Sequence, residues 1–300
     1  MVRVNRSFTL LVNRAAGSGD PLAAAARVER ILRESGARVE TVAPSGPAEG
    51  KRALAQAVIR GDVVVAVGGD GTVSALAGEV ARLGGILGVI PAGRGNDFAR
   101  MLGLPTDPHA VATILLDEEP AETDLISTTA PDGTSRVVAG SIYAGIDAVV
   151  ADRVARGHWL PRSWQYPMNG LYALATFRPT RLTVVIDGTE RTFKAACVTV
   201  ANSAYYGSGM RIAPEASIDD GHLDIVVIEA FGRLDMIRAL PKVYGGTHVD
   251  LPTVHTFRGR SITLSAEPAI LYGGDGETEG MVGSGAVLID VVPAAVQILR

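Results

Sequence analysis

Only one cysteine, Cys197, occurs in 300 residues, so no disulfide can close within the chain and nothing in it asks for an oxidising compartment. Set in Lys194-Ala195-Ala196-Cys197-Val198-Thr199-Val200, that thiol reads as a buried strand residue rather than a nucleophile. Long apolar runs are missing as well. No stretch approaches the ~18–20 residues of a spanning helix, and the opening MVRVNRSFTLLVN lacks the long apolar core and small-residue cleavage site of a secretion signal. The expectation is a cytoplasmic protein whose only membrane contact is peripheral, at the inner face. A basic excess is absent too: the net charge of -4 argues against a nucleic-acid partner, which selects a basic footprint.

The commonest catalytic signatures are also lacking. No G-x-x-x-x-G-K-[ST] occurs, which excludes a Walker nucleotidase, and no G-x-G-x-x-G, which excludes the dinucleotide fingerprint. Neither G-x-S-x-G nor H-E-x-x-H is present, which removes the usual hydrolase and zinc readings. His109, His248 and His255 show no metal spacing and read as surface or packing residues.

What is present is enough apolar sequence, 47% of residues against 20% charged, for a packed core, and length for two domains. Over residues 1–124 strand and helix patterns alternate. Strands are expected at Phe8–Val12, Arg38–Val42, Val63–Val67 and Ile86–Ile90. Helices are expected at Pro21–Ser35, at Ala48–Arg60 and from about Thr72. Such alternation implies a parallel sheet with right-handed crossovers, whose ligands bind at the carboxyl ends of strands. Over 125–290 the texture changes to short β-rich runs, such as Arg181–Ile186, Ala195–Val200, Leu223–Ile228 and Ser261–Leu264, cut by Asp-Gly and Gly-Gly turns. Helical patterns there cover Ile146–Val154 and Met168–Phe177. The closing AAVQILR is free to pack back on the first domain.

Three glycine-rich segments follow strands in the first domain: NRAAGSG at 13–19, GGDGT at 68–72 and GRGND at 93–97. A bare turn leading from a strand into a helix offers main-chain N–H groups and the positive helix end to an anion, most often phosphate. Asp70 reads either as a helix cap or as a functional acid. Gly93 and Gly95 allow close approach, and Asn96 or Asp97 is placed to cap the helix that Phe98 begins. Three such ends on one sheet edge make a nucleotide site the leading reading. Asp70 and Asp97 supply hard oxygens suited to Mg²⁺.

GGDGT, then P-x-G-x-x-N-D-F-A-R at 91–100, then YYGSGMRIAPEASIDDGHLDIVVI at 205–228 and DGE at 275–277 resemble the soluble bacterial diacylglycerol kinases, relatives of the sphingosine kinases. The resemblance covers nearly the whole chain. GGDGT alone also occurs in NAD kinases and phosphofructokinases. The lipid-kinase match rests on Arg211-Ile212-Ala213-Pro214, Asp219-Asp220-Gly221 and Asp275-Gly276-Glu277.

The resemblance implies an α/β nucleotide-binding domain with a parallel sheet, of the phosphofructokinase and NAD kinase type, followed by an all-β, sandwich-like lipid-binding domain. It implies an ATP- and Mg²⁺-dependent kinase that phosphorylates the primary hydroxyl of diacylglycerol to give phosphatidic acid. Gly68, Gly69, Gly71 and Thr72 would hold ATP phosphates, with Asn13 to Gly17 and Thr41 also lining the site; Gly95 and Asn96 are expected to join them, and Arg94, which the family does not have, is expected to clamp a phosphate. Glu277, beside Asp275, would take the proton of the lipid hydroxyl, with Asp70 and Asp97 on the nucleotide side. A structural magnesium would be held by the Asp220 side chain and the carbonyls of Ser217 and His222. The chain departs from the family at Arg14, where a proline is usual, at Ser74-Ala75, where asparagine-glutamate is usual, and at Arg94, where threonine is usual. Gly273, Gly274 and Gly276 are expected to make the Glu277 turn mobile.

Both tryptophans, Trp159 and Trp164, lie in RGHWLPRSWQYPM at 156–168, beside cations. That segment reads equally as a membrane-interface contact and as a loop packed through its tryptophans. A homodimer is compatible with the chain. Two other functions stay in view: a kinase for a soluble metabolite, opposed by the lack of any Asn-Glu dipeptide, and a binding protein without turnover, opposed by the retention of Asp70, Asp97 and Glu277.

Overall fold

A strand covered on both faces reads as an unbroken apolar run, and Val63-Val64-Val65-Ala66-Val67 is such a run, buried at every residue. It is the central strand of the first of two units in the computed structural model, which describes residues 6–14, 20–156 and 162–300, with the side chains at 155–156, 162–167 and 171 outside that description. The units are Met1–Leu125 with Pro293–Arg300, and Ile126–Val292.

The first unit alternates β1 (Ser7–Val12), α1 (Pro21–Glu34), β2 (Arg38–Val42), α2 (Pro47–Ile59), β3 (Val63–Gly68), α3 (Asp70–Leu83), β4 (Ile86–Pro91), α4 (Asp97–Met101) and α5 (Pro108–Asp117). Asp20 caps α1 by accepting from Ala23 N at 3.0 Å, Pro21 pre-sets its first turn, and Gly36 ends it in the left-handed region. The strands pair in the order β2-β1-β3-β4, all parallel. Phe8, Leu10, Val65 and Val67 pack against Val28, Leu32, Val111 and Leu115 in one core.

The second unit contains β5 (Pro120–Thr129), which begins in the first, then β6 (Ser135–Val138), β7 (Ser141–Gly145), α6 (Ile146–Arg156), α7 (Arg162–Thr176), β8 (Thr180–Ile186), β9 (Thr189–Ala201), β10 (Leu223–Glu229), α8 (Arg233–Gly245), β11 (Val254–Gly259), β12 (Ser261–Glu267), β13 (Ile270–Gly274), β14 (Glu277–Val282) and β15 (Val287–Leu299). β8 buries every second residue, as a strand does with one face wet. The first half of β9 pairs antiparallel with β8, and its second half with both β7 and β10. β7 continues through β13 to β14. Ile142, Leu182, Val184, Val200, Ile225, Leu264 and Ile289 share the core of this unit. β15 pairs with β12 at its start, and its end returns to the first unit, where Gln297 and Ile298 lie parallel to Ile86 and Leu87. Among the described residues no helix is long and apolar enough to cross a membrane.

Several elements differ from the sequence reading: α5 (Pro108–Asp117) has no counterpart in it, and α7 begins at Arg162 rather than Met168. α3 starts at Asp70 rather than Thr72, because Gly69 serves as its cap. The sequence reading assigns no helix to Arg233–Gly245, which forms α8 with Pro241 inside it.

Candidate active site

Since β3 lies between β1 and β4, the segments leaving their carboxyl ends are neighbours, about 4.8 Å apart at the strands. Asn13 N donates to Val67 O at 3.1 Å and Asn13 Nδ2 to Thr72 Oγ1 at 2.8 Å, tying the β1 exit to the GGDGT turn. On the other side Ala92 N donates to Gly68 O at 2.8 Å. No side chain caps α3; the Thr72 and Val73 amides both return to Gly69 O at 3.0 Å. A Cβ on Gly69 would stand 3.1 Å from Gly93 Cα, and one on Gly93 would overlap Gly69. None of Gly68, Gly69, Gly93 and Gly95 has the left-handed backbone. Their bareness first serves the approach of one turn to the other, backbone against backbone.

Asp70 Oδ1 accepts from Phe98 N at 2.9 Å, so Asp70 caps α4 from the adjacent turn. Neither Asn96 nor Asp97 does so, contrary to the sequence expectation. Asn96 is itself in the left-handed conformation, with φ of 51°, which turns its amide back onto Gly93: Oδ1 accepts from Gly93 N at 2.9 Å and Nδ2 donates to Gly93 O at 3.2 Å. Asp97 is buried and paired with Arg100 at 2.5 Å. A Cβ on Gly95 would lie 3.0 Å from Oδ2 of both Asp70 and Asp97. Two carboxylates thus converge on one bare α-carbon. A pair of hard oxygens completed by phosphate and water is what Mg²⁺ prefers over an all-protein cage, and among the described residues no cluster of three or more His, Cys, Asp or Glu side chains competes as a closed cage.

The remaining nucleotide-side residues distribute as follows. Gly71 lies in the first turn of α3, and Arg94 is exposed on the turn after β4. Thr41, on β2, donates to Glu29 Oε2 at 2.9 Å. Gly17 lies outside the described residues. Of the departures from the family, Arg14 is exposed and Ser74 is buried within α3.

In the second unit, Asp275 and Gly276 form the turn between β13 and β14, and Glu277 opens β14 with its side chain exposed. Asp275, at φ of 45°, accepts from the amides of Ala139 at 3.0 Å, Gly140 at 3.0 Å and Ser141 at 2.9 Å. Gly276 N donates to Tyr143 Oη at 3.0 Å. The turn is therefore pinned to β7, which corrects the expectation of a mobile stretch: its glycines supply a positive φ at Gly276 and room at Gly273 and Gly274, not slack. Two residues along, Glu279 has its carboxyl pushed up, first by burial and then by the charges of Asp275 and Glu277, against the pull of Arg136.

The loop before β10 gathers acids. Ser217 Oγ donates to Asp219 Oδ1 at 2.6 Å, His222 N donates to Asp220 Oδ1 at 3.0 Å, and Arg258 meets Asp220 Oδ2. Asp224 nearby is pushed up to about 6, by burial first, with Asp220 and Glu215 adding to the rise against Arg258 and His222. The negative charge here exceeds what Arg258 neutralises, and the donors are hard oxygens, so a divalent cation fits the loop's chemistry.

Four second-unit residues near these features carry no signature in the sequence: Tyr143, Glu279, Arg258 and the buried Asp147. The last stands in the first turn of α6, where burial raises its carboxyl; burial first, and then the nearby Asp147 charge, also pushes the Cys197 thiol and the Tyr206 hydroxyl well up. Cys197 is a buried free thiol. His248 is buried with Nε2 at 3.0 Å from Ile212 O, a packing role, and His255 lies 3.2 Å from Glu229. Trp159 lies outside the described residues, and Trp164 is described only as backbone of α7.

Bare turns on a parallel sheet edge with a carboxylate pair beside them, in the first unit, suit a class, the nucleotide-dependent phosphotransferases. Comparison with known proteins narrows it. Residues 7–128 match the diacylglycerol kinase catalytic domain and residues 140–300 match the YegS C-terminal NAD kinase beta sandwich-like domain. A diacylglycerol kinase of Mycobacterium tuberculosis is 34% identical over 97% of this chain and 94% of its own length. One of Bacillus subtilis is 25% identical over 86% and 85%. A solved structure of a diacylglycerol kinase from Bacillus anthracis str. Sterne superposes with a TM-score of 0.72 at 18% identity, over 98% of this chain and 97% of that one. The chain belongs to the diacylglycerol kinase and YegS-like lipid kinase family. A kinase of this family uses ATP as co-substrate.

Proposed function

We propose that this chain transfers the γ-phosphate of ATP to the primary hydroxyl of diacylglycerol, giving phosphatidic acid, with Mg²⁺ on the nucleotide. The observation that carries the reading is the meeting of the Gly69 and Gly93 turns, with the Asp70 and Asp97 carboxylates converging beside Gly95. Phosphoryl transfer asks a protein for positioning and for neutralisation of charge rather than for covalent work. The amides around Gly69 and Gly71, at the start of α3 where no side chain caps the helix, present donors to phosphate oxygens. Arg94 on the facing turn adds a guanidinium able to grip a phosphate with two parallel bonds. Asp70 and Asp97 would hold the Mg²⁺, which would supply neutralisation of charge developing on the phosphoryl oxygens.

On the acceptor side, an alcohol is a poor nucleophile at neutral pH, and Glu277 supplies an exposed carboxylate to take its proton. Asp275 is a positioning residue: its three amide bonds fix the turn from which Glu277 projects. The second metal, at Asp220 with the carbonyls of Ser217 and His222, has a structural part in this reading. The substrate places the enzyme at the membrane surface, on the cytoplasmic side where ATP is available.

The reading is tested by incubating the protein with γ-labelled ATP, Mg²⁺ and mixed micelles containing diacylglycerol, then partitioning into organic solvent. Label in phosphatidic acid supports it. Label in a different lipid keeps the family's chemistry and replaces the acceptor. Label only in a water-soluble product, or ATP binding without transfer, overturns it.

A further inference from the structure

A surface helix normally turns its apolar arc inward and its charged arc to water, and α8 does not. Successive residues are about 100° apart around a helix, which gives α8 three arcs. Met236 and Val243 face inward, where Met236 packs with Ile146, Ala173 and Ala196. Asp235, Arg238 and Lys242 share a narrow polar flank. The outward arc is apolar: Leu234 is 68% exposed, Ile237 39%, Leu240 46% and Tyr244 53%, with Pro241 among them. Beside it on α7, Met168 and Tyr172 are also exposed, Arg153 lying 3.6 Å over the Tyr172 ring. Six of the twelve large apolar side chains that stand exposed among the described residues belong to these two helices. Scattered apolar residues mean little, whereas a contiguous stripe marks a contact surface.

We propose that α8 lies in the headgroup region of an anionic bilayer with its outward stripe, Leu234, Ile237, Leu240 and Tyr244, among the acyl chains. Charge selects this occupant. Arg238 and Lys242 flank the stripe and Arg233 stands at its N-terminal end, where it also donates to Phe177 O at 3.4 Å, while the one acid of the helix, Asp235, is paired with Arg238 at 2.9 Å. A second copy packed antiparallel on this face by a two-fold axis would bring the cations of one flank against those of the other. Anionic headgroups complement them, each cation adding roughly fivefold to affinity, and long basic side chains reach the headgroups from an embedded helix. The rim is basic although the chain as a whole carries a net charge of -4. This inference rests on the lipid-kinase reading for its purpose and not for its test.

The test is co-sedimentation of the full chain, without ATP, on phosphatidylcholine vesicles with and without phosphatidylglycerol. Binding is expected to require phosphatidylglycerol and to fall at least tenfold, roughly, for the triple variant L234Q/I237Q/L240Q, because each change removes exposed apolar surface from the membrane contact. The variant I59Q, at a position 84% exposed on α2, is expected to bind as the parent does. The single variant L240Q and the charge reversal K242E are expected to weaken binding by smaller steps and carry the test if the triple variant unfolds. Parental binding by the α8 variants, no vesicle binding by the parent, or a parental dimer that the triple variant splits would overturn the proposal. Activity separates it from the function itself: on short-chain diacylglycerol below its aggregation threshold the triple variant should match the parent, and on vesicle-borne substrate it should lag. Vesicle binding lost on α8 substitution, in a protein that phosphorylates no lipid, would leave the docking surface standing and sink the acceptor.

Discussion

The tetrapeptide Gly-Gly-Asp-Gly occurs twice, at 68–71 and 273–276, and folds in two ways. In the first unit its aspartate begins a helix and caps another across a turn, with one carboxylate oxygen on Phe98 N and the other beside Asp97. In the second its aspartate sits at a left-handed hairpin position and gives its carboxylate to three amides of residues 139–141. The residues on the carboxyl side of each copy decide between the two. Thr-Val-Ser-Ala-Leu-Ala propagates a helix, and Glu-Thr-Glu-Gly-Met-Val, which lacks a helical period, pairs back on β13 as a strand. The glycines differ in purpose too: the first set gives room for a facing backbone, and the second includes Gly276, whose φ of 88° only glycine adopts without strain.

Placing the same substitution in both copies sharpens the comparison most. Asp70→Asn keeps an oxygen to accept from Phe98 N but removes the charge, so the fold should survive while kcat falls about a thousandfold, the scale of losing a metal-ligating carboxylate. Asp275→Asn leaves one oxygen for three donors and turns an amide N–H toward them. It should lower unfolding free energy by about 1.5–3 kcal/mol. Urea denaturation and steady-state rates on each variant distinguish the two roles. Equal stability losses would show that the two aspartates do the same work. Glu277→Gln belongs with Asp70→Asn: exposed and unneeded for packing, it should lose turnover by about a hundredfold or more with unchanged stability.

The glycines give a smaller contrast. Gly93→Ala drives a methyl into the Gly69 backbone, where no flexible side chain can yield, so a cost of about 1–3 kcal/mol with a large loss of ATP affinity is expected. Gly276→Ala meets open space and pays only for its positive φ, about 1–2 kcal/mol. Thermal denaturation with and without ATP reads both. A Gly93→Ala variant that binds ATP normally would break the idea that the two turns form one unit.

Much of this fold is legible in sequence because local signals agree with it. The β3 run, the Asp20-Pro21 start of α1 and the alternation of β8 each arise from neighbours in the chain. The misreadings share a different origin. Asn96 is open to two assignments because its left-handed turn, which aims it at Gly93, has no sequence mark beyond asparagine itself. The Asp275 latch depends on amides more than 130 residues away, so the glycines around it suggest mobility. α8 hides behind Pro241 and Gly245-Gly246, which read as breakers, and behind an apolar arc that faces the wrong way for a soluble helix.

A third aspartate completes the contrast and carries the smallest effect. Asp147 has a carboxylate oxygen, Oδ2, that is buried with no hydrogen-bond partner, and burial raises its carboxyl above the ordinary 3.8 against the pull of Cys197 and Tyr206. A carboxyl whose folded pKa is raised favours folding at low pH and loses that contribution as pH climbs from the unfolded value toward the folded one. Asp275, by contrast, has three amide donors on its carboxylate. Asp147→Asn, with the same shape and no charge to bury, should therefore raise Tm by a few degrees at pH 8 and leave it nearly unchanged at pH 4. Thermal unfolding of parent and variant across that range checks the sign. A variant destabilised at pH 8 would mean that the ionised carboxylate is stabilised in the fold, and that Asp147 resembles Asp275 after all.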